Sequence, residues 1–328
     1  MDTQQGRLVV VGSINHDRTH FVQEFPAPGQ TVLALREAEG LGGKGANQAV
    51  AAARTGARVA MVGNVGHDGE GEESLRILRD NGVDVSGVAR RDASTGKAFI
   101  AVSADGENTI VVVSGANDLP FDGTAAEALI RTATVVATQG EIPIEEIDRV
   151  AELAGAHGVR FVLNLAPFVP ASAASLRAAD PLIVNVSEAT ALLGQDGFDL
   201  NVVDVACRAA EKLTTSIARS AIITLGAGGA VVADGTDVWH IPALADIPVV
   251  DTTGAGDAFV GVVCAALSRG EPLLVAARMG SVAGGLAVTR EGATQSYPDT
   301  AELRDATLRY DSMLRPTRRT QTLTKEES

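Results

Sequence analysis

Apolar residues fall along this chain in two rhythms. Residues 8–12, Leu-Val-Val-Val-Gly, form an unbroken apolar run of strand length, and further strands are expected over 58–65, 135–138, 161–165, 182–186 and 221–225. A run without polar alternation suits a strand covered on both faces. Between these runs the period is near 3.6. The spacing predicts helices over 46–53, 71–81, 144–156 and 202–217, and another from about Gly256, with Phe259, Val260, Val263, Ala266 and Leu267 on its apolar side and a stop at Ser268-Arg269-Gly270. Strands alternating with helices predict an α/β fold, a mostly parallel central sheet with helices on both faces.

Two stretches break the alternation. Residues 31–39 alternate weakly, and 96–102 with 108–113 read as a hairpin around Ala104-Asp105-Gly106-Glu107. They predict a small sheet apart from the main one, and its apolar residues Leu33, Phe99 and Ile100 suit a covered surface.

Composition narrows the class. A chain of 328 residues with 45% hydrophobic content can bury a large core. We expect one domain over 1–314, with lid segments near 16–42 and 95–114, and a disordered polar tail over 315–328. A net charge of −14, with no basic cluster, argues against a nucleic-acid partner. No apolar run is long enough to span a bilayer and the first residues carry no signal-peptide core, so no membrane association is expected. Cys207 and Cys264 lie in apolar helical patterns and read as reduced core residues of a cytoplasmic protein.

Ligands of parallel sheets bind beyond the strand C-termini, so polar residues there carry the candidate chemistry. Asn15 and Asp17 follow the first strand, on one side of an extended chain. An amide beside a carboxylate can grip sugar hydroxyls, or it can form an Asx turn leaving the strand. His16 and His20 have no third metal ligand nearby. Gly42-Gly43-Lys44-Gly45 before a helix resembles a phosphate loop, but the P-loop spacing is absent because position 38 is Ala and Gly45 follows Lys44. Glu188, after 182–186, also reads as an ordinary first-turn acid. Residues 224–229, Thr-Leu-Gly-Ala-Gly-Gly, are a glycine-rich strand exit.

The densest chemistry is Asp251-Thr252-Thr253-Gly254-Ala255-Gly256-Asp257. At a helix start, the N–H groups of Ala255, Gly256 and Asp257 lack intrahelical partners and would form an anion hole. Asp257 is then either a first-turn capping acid or a base facing a hydroxyl that attacks a bound phosphoryl group.

Residues 251–259 and Gly42-Gly43-Lys44-Gly45-Ala46-Asn47-Gln48-Ala49 resemble, in order, the C-terminal and N-terminal signatures of the PfkB carbohydrate-kinase family, in the form typical of its ribose-phosphorylating branch. The likeness runs from about residue 8 to about 298. It implies a β lid over a sugar, lids that pair into a homodimer, and ATP-dependent phosphorylation of D-ribose at O5. Deoxyribose, fructose and adenosine are the alternative substrates. The resemblance makes Asp257 the base, Gly254, Ala255 and Gly256 the anion hole, and Asn15, Asp17, Gly43, Lys44, Asn47 and Glu141 the sugar contacts, although Gly140 stands where Leu is expected. Lys44 would also neutralise transition-state charge. Asn185 and Glu188 would lie near Mg²⁺ and the ATP phosphates. Thr224, Leu225, Gly226, Ala227, Gly228 and Gly229 would form the nucleotide loop, with Ser281 near adenine in place of the family's Asn or His. A K⁺ site would draw on Asp251, Thr253, Ala287, Arg290, Gly292 and Ser296, largely through carbonyl oxygens.

Two other classes compete with this reading. A dinucleotide enzyme requires G-x-G-x-x-G after the first strand, and this chain has Gly12-Ser13-Ile14-Asn15 there. A non-catalytic sugar sensor is disfavoured by the intact Asp257, Gly254, Gly256, Asn185 and Glu188.

Overall fold

A computed structural model describes residues 6–194 and 199–319. Its strands are β1 (Arg7–Val11), β2 (Asn15–Phe21), β3 (Arg36–Gly42), β4 (Arg58–Gly66), β5 (Asp84–Arg91), β6 (Gly96–Val102), β7 (Asn108–Val113), β8 (Val135–Gln139), β9 (Arg160–Asn164), β10 (Leu182–Asn185), β11 (Ser220–Thr224), β12 (Ala230–Asp234), β13 (Asp237–Ile241) and β14 (Thr317–Arg319). Ten of them form one sheet in the order β14-β13-β12-β11-β10-β9-β8-β1-β4-β5. From β5 to β11 every pairing is parallel, and β12 to β14 add an antiparallel edge.

The apolar run of β1 works as its pattern suggests. Leu8 and Val10 face one core, packed under the helices Lys44–Arg54, Gly69–Asp80, Ala255–Ser268, Leu273–Ala287 and Thr300–Arg309. Val9 and Val11 face the other, under Gly123–Ile130, Ile144–His157, Val186–Leu193 and Val203–Ser216. Each fully buried Val or Leu contributes roughly 1.5–3 kcal/mol, so a strand apolar on both sides belongs in the middle of a two-faced sheet.

The remaining four strands form the lid, in the order β3-β2-β6-β7. The central strand leads straight into it: β1 ends at Val11 and β2 begins at Asn15. The lid therefore rises from the C-terminal end of the main sheet, where its base borders the candidate site.

Several boundaries differ from expectation. The strand expected over 31–39 forms over Arg36–Gly42, because pairing with β2 sets its limits, from Phe21 opposite Arg36 to Asn15 opposite Gly42. The helix Leu273–Ala287 was not expected, since Gly280, Gly284 and Gly285 weaken its signal. Close packing explains two of these glycines: a Cβ on Gly280 would stand 2.7 Å from a Val263 methyl and 2.9 Å from the Phe259 carbonyl oxygen, and one on Gly285 would stand 2.6 Å from a Leu244 methyl. The tail expected to be disordered from 315 opens instead with β14, paired to β13 from His240 opposite Thr317 to Val238 opposite Arg319. Residues 320–328 of that tail lie outside the described residues. No helix among the described residues is long and apolar enough to cross a membrane.

Candidate active site

Asp257 lies in the first turn of Ala255–Ser268 and is 7% exposed. Both carboxylate oxygens accept hydrogen bonds, Oδ2 from Asn47 Nδ2 at 3.1 Å and Oδ1 from Gln48 Nε2 at 3.0 Å. The two signatures, some 200 residues apart in sequence, thus meet at one carboxylate. Asn47 was expected to serve the sugar. Its amide nitrogen is turned to Asp257, and its Oδ1, buried without a partner, is what remains for a substrate.

Gly254 opens this helix in the left-handed region at φ 73°. A Cβ there would come within 2.6 Å of the Tyr297 hydroxyl and 2.9 Å of Ala293 Cα, so glycine is required. Of the three N–H groups expected to form the anion hole, that of Ala255 is taken by the Thr252 carbonyl at 3.2 Å. The Ala258 N–H turns back to the Gly254 carbonyl at 2.8 Å. Gly256 and Asp257 supply the donors left at the helix end. Gly256 faces open space, with nothing within 4 Å of an added Cβ.

Across the site, Gly43 precedes the helix Lys44–Arg54 at φ 84° without a side-chain cap. Glu141 provides the missing acceptor. Its Oε2 accepts from the Lys44 N–H at 2.9 Å and from the Ser13 hydroxyl at 2.5 Å. The glycine before it, Gly140, has a steric cause: a Cβ would lie 2.1 Å from the Pro167 carbonyl oxygen. The Asp257 carboxylate raises the Lys44 ammonium above its ordinary range; burial opposes this, and Glu141 and Glu188 add to it.

Asn15 and Asp17 sit at the base of β2. Asn15 Oδ1 accepts from Asn117 Nδ2 at 2.8 Å, and Asn117 Oδ1 accepts from the Ile14 N–H at 2.9 Å. This fixes the Asn15 amide group. Asp17 is different: its Oδ1 is buried with no partner. Burial, together with the charges of Glu141 and Asp257, pushes its carboxyl up to about 7 despite a backbone bond from Ala98 that lowers it. A buried, unsatisfied acceptor is costly unless a ligand completes it.

The nucleotide-side residues gather at the ends of β10 and β11. Asn185 and Glu188 form a capping box, in which Asn185 Oδ1 accepts from the Glu188 N–H at 2.9 Å and Glu188 Oε2 from the Asn185 N–H at 2.8 Å. Burial raises the Glu188 carboxyl, Asp257 adds to the effect, and the Asn185 bond and Lys44 oppose it. After Thr224 the chain makes a tight turn in which Leu225 N–H bonds to Gly229 O and Gly228 N–H to Leu225 O. Gly226 and Ala227 are exposed at its tip. The Ser281 hydroxyl is buried and unpartnered, a donor compatible with a contact from outside the chain.

The residues expected at a K⁺ site are partly assembled. Asp251 Oδ1 accepts from the Thr253 N–H at 2.9 Å and Oδ2 from the Gly292 N–H at 2.8 Å. Burial would raise the Asp251 carboxyl, but these bonds carry it below the usual carboxylate range. The Ala287 carbonyl accepts from the Arg290 N–H at 3.2 Å, while the Arg290 side chain pairs with Glu302 at 2.5 Å. The Ser296 hydroxyl turns to the Ala293 carbonyl at 2.7 Å. The lowered Asp251 carboxyl is a hard oxygen donor of the kind an alkali cation takes, although both its oxygens already accept N–H bonds. Among the described residues no group of three or more His, Cys, Asp or Glu could hold a metal.

Sequence reasoning missed Ser13, Asn117, Gln139 and Asn164, and it noted Gln48 only within the signature. Ser13 stands at a strand exit, which is a usable signal. Asn117 lies on a single 3₁₀ turn, Gly115–Asp118, with no pattern to mark it.

Residues 5–300 match the model of the pfkB family of carbohydrate kinases. A ribokinase of Schizosaccharomyces pombe is 34% identical over 306 residues, covering 90% of this chain and 96% of that protein. A deoxyribokinase of Salmonella typhi is 30% identical, covering 89% and 95%. The solved structure of Arabidopsis thaliana ribokinase complexed with ribose and ATP superposes with a TM-score of 0.84 at 29% identity, covering 92% of this chain and 99% of the other.

Proposed function

The chain belongs to the pfkB family of carbohydrate kinases, and from that premise we propose that it transfers the γ-phosphoryl group of ATP to O5 of D-ribose. The observation that carries this reading is the buried, unpartnered Oδ1 of Asp17, facing a site that also holds Asn15, Glu141, Asn47 and Asp257. Such a pincer suits the hydroxyls of one small ring. A sugar lacking a hydroxyl would leave a buried group unpaired, at about 1–3 kcal/mol.

In the reaction Asp257 orients the sugar hydroxyl and takes its proton late in a loose transition state, when the oxygen has become acidic. The Gly256 and Asp257 N–H groups and the Lys44 ammonium take up charge on the transferred group. Glu188, with one carboxylate oxygen left after its capping bond, is the residue to hold Mg²⁺; when bound, that ion neutralises the phosphates. Thr224 to Gly229 and Ser281 receive the nucleotide. Asp251, Thr253, Ala287, Gly292 and Ser296 are the residues that would hold K⁺, whose charge would help to keep the loop before Gly254 in shape.

The lid edge supports a homodimer. All six residues of β7 are exposed, with Ile110, Val111 and Val112 each more than half accessible beside Phe99. An apolar edge strand of this kind needs a cover. The two buried, unpaired cysteines support a cytoplasmic location.

Coupled assay of ADP formation with ribose, deoxyribose, fructose and adenosine tests the reading. Ribose should show the highest kcat/KM. A better rate constant with any of the others removes ribose as the substrate.

A further inference from the structure

The Asp257 carboxylate ends a chain of buried amides whose direction is fixed by one backbone atom. Asn164 Nδ2 donates to the Ile183 carbonyl at 3.1 Å, and a carbonyl can only accept. Asn164 Oδ1 must therefore accept, and it does so from Gln48 Nε2 at 2.9 Å. That nitrogen also donates to Asp257 Oδ1, while Gln48 Oε1 accepts from Gln139 Nε2 at 2.8 Å. Reversing any amide would set like groups face to face. Gln48 and Gln139 are each no more than 1% exposed and Asn164 is 6% exposed, so water does not substitute for these bonds. Even Gly12 serves this chain, for a Cβ there would fall 2.0 Å from Gln139 Oε1.

The other carboxylate oxygen is held differently. Among the described residues Asp257 Oδ2 receives only Asn47 Nδ2, and Asn47 Oδ1 has no partner to pin that amide. Building on the kinase reading, we propose that Gln48 is a positioning residue that keeps Oδ1 of Asp257 a permanent acceptor, so that Oδ2 receives the proton of the attacking sugar hydroxyl. The hydroxyl oxygen forms its bond to the γ-phosphorus and its O–H bond breaks, the proton passing to Oδ2. The bond from that phosphorus to ADP breaks, with its electron pair leaving on ADP. Lys44, Asp17, Glu188 and Tyr297 also face Asp257 electrostatically. None of them donates to Oδ1.

The test compares full-length wild type with Gln48→Leu and Gln48→Glu, measuring kcat and KM for ribose and ATP across acid and neutral pH. Leu removes the donor and Glu replaces it with a carboxyl group. We expect kcat to fall about 10- to 100-fold in Gln48→Leu, with both KM values within about 3-fold. The acid limb of kcat should move to higher pH in both variants, further in Gln48→Glu. A kcat within about 2-fold of wild type, a loss carried by KM, or a limb that stays in place would overturn the proposal. If Gln48→Leu does not fold, Gln139→Leu keeps the Gln48 donor but unpins its Oε1. It should show the same signature at smaller size, and an unmoved limb there overturns the proposal equally. Wild type without ribose-dependent ADP release would instead remove ribose as the substrate, a result separable from any effect of Gln48.

Discussion

The carboxylate of Asp17 lies so close to Gly42 that a Cβ on that glycine would fall 2.0 Å from its carboxyl carbon. Both residues belong to the lid, Asp17 on β2 and Gly42 at the end of β3, next to the helix that carries Lys44 and Asn47. The glycine leaves the space in which the Asp17 carboxylate stands.

Gly42→Ala should therefore fold but displace the Asp17 side chain. We expect the ribose KM to rise about 10-fold or more, the cost of misplacing one buried polar contact, with the ATP KM unchanged. Steady-state kinetics with each substrate varied in turn checks this. An unaltered ribose KM would mean that Asp17 does not need this position.

How much of this was legible in the sequence depends on what each feature leaves behind. The two-faced strand β1 and the hairpin of β6 and β7 were legible because burial on both faces and tight turns impose composition directly. So was the start of the helix carrying Asp257, where small residues give way to a carboxylate. The partners of Asp257 were not. Asn47 and Gln48 come from a helix some 200 residues away and Asn164 stands behind Gln48 on β9, and an amide that accepts or donates looks the same in either role until its neighbours are in place. The Ala255 N–H was misassigned for a related reason, since a local turn to Thr252 leaves no mark on composition.

Asp257→Asn keeps an oxygen to accept from Gln48 but removes the base. It should lower kcat at least ~10²-fold, the usual scale for a lost general base, while ribose affinity changes by no more than about 3-fold. Calorimetric ribose binding beside turnover separates the two effects. Near-wild-type turnover would take Asp257 out of the mechanism.

Asp251 ties the loop before Gly254 to Gly292 through its two carboxylate oxygens. If a monovalent cation completes that tie, K⁺ should activate more than Na⁺. Asp251→Asn should raise the K⁺ concentration for half-activation about 10-fold, as expected when the carboxylate charge at the site is lost, and leave the ribose KM within about 2-fold. Equal rates in K⁺, Na⁺ and tetramethylammonium would count against the cation site.

The last prediction follows from the Asp17 carboxyl, raised from an ordinary 3.8 to about 7 by burial and by the charges of Glu141 and Asp257. An acid whose folded value is raised binds more protons when folded, so stability falls as pH rises from about 4 towards 7 and is level above. Asp17→Asn removes that charge. Its thermal stability should exceed that of the sugar-free wild type by a margin that grows from about pH 4 towards pH 7 and then stops growing. Ribose has the opposite preference, because its hydroxyls donate to the ionised form. Ribose binding near pH 7 should release protons, and the ribose Kd should weaken below pH 7 by up to about tenfold per unit. Titration calorimetry in buffers of different ionisation enthalpy measures the release directly. Proton uptake, or a Kd independent of pH, would show that Asp17 does not meet the sugar as a carboxylate.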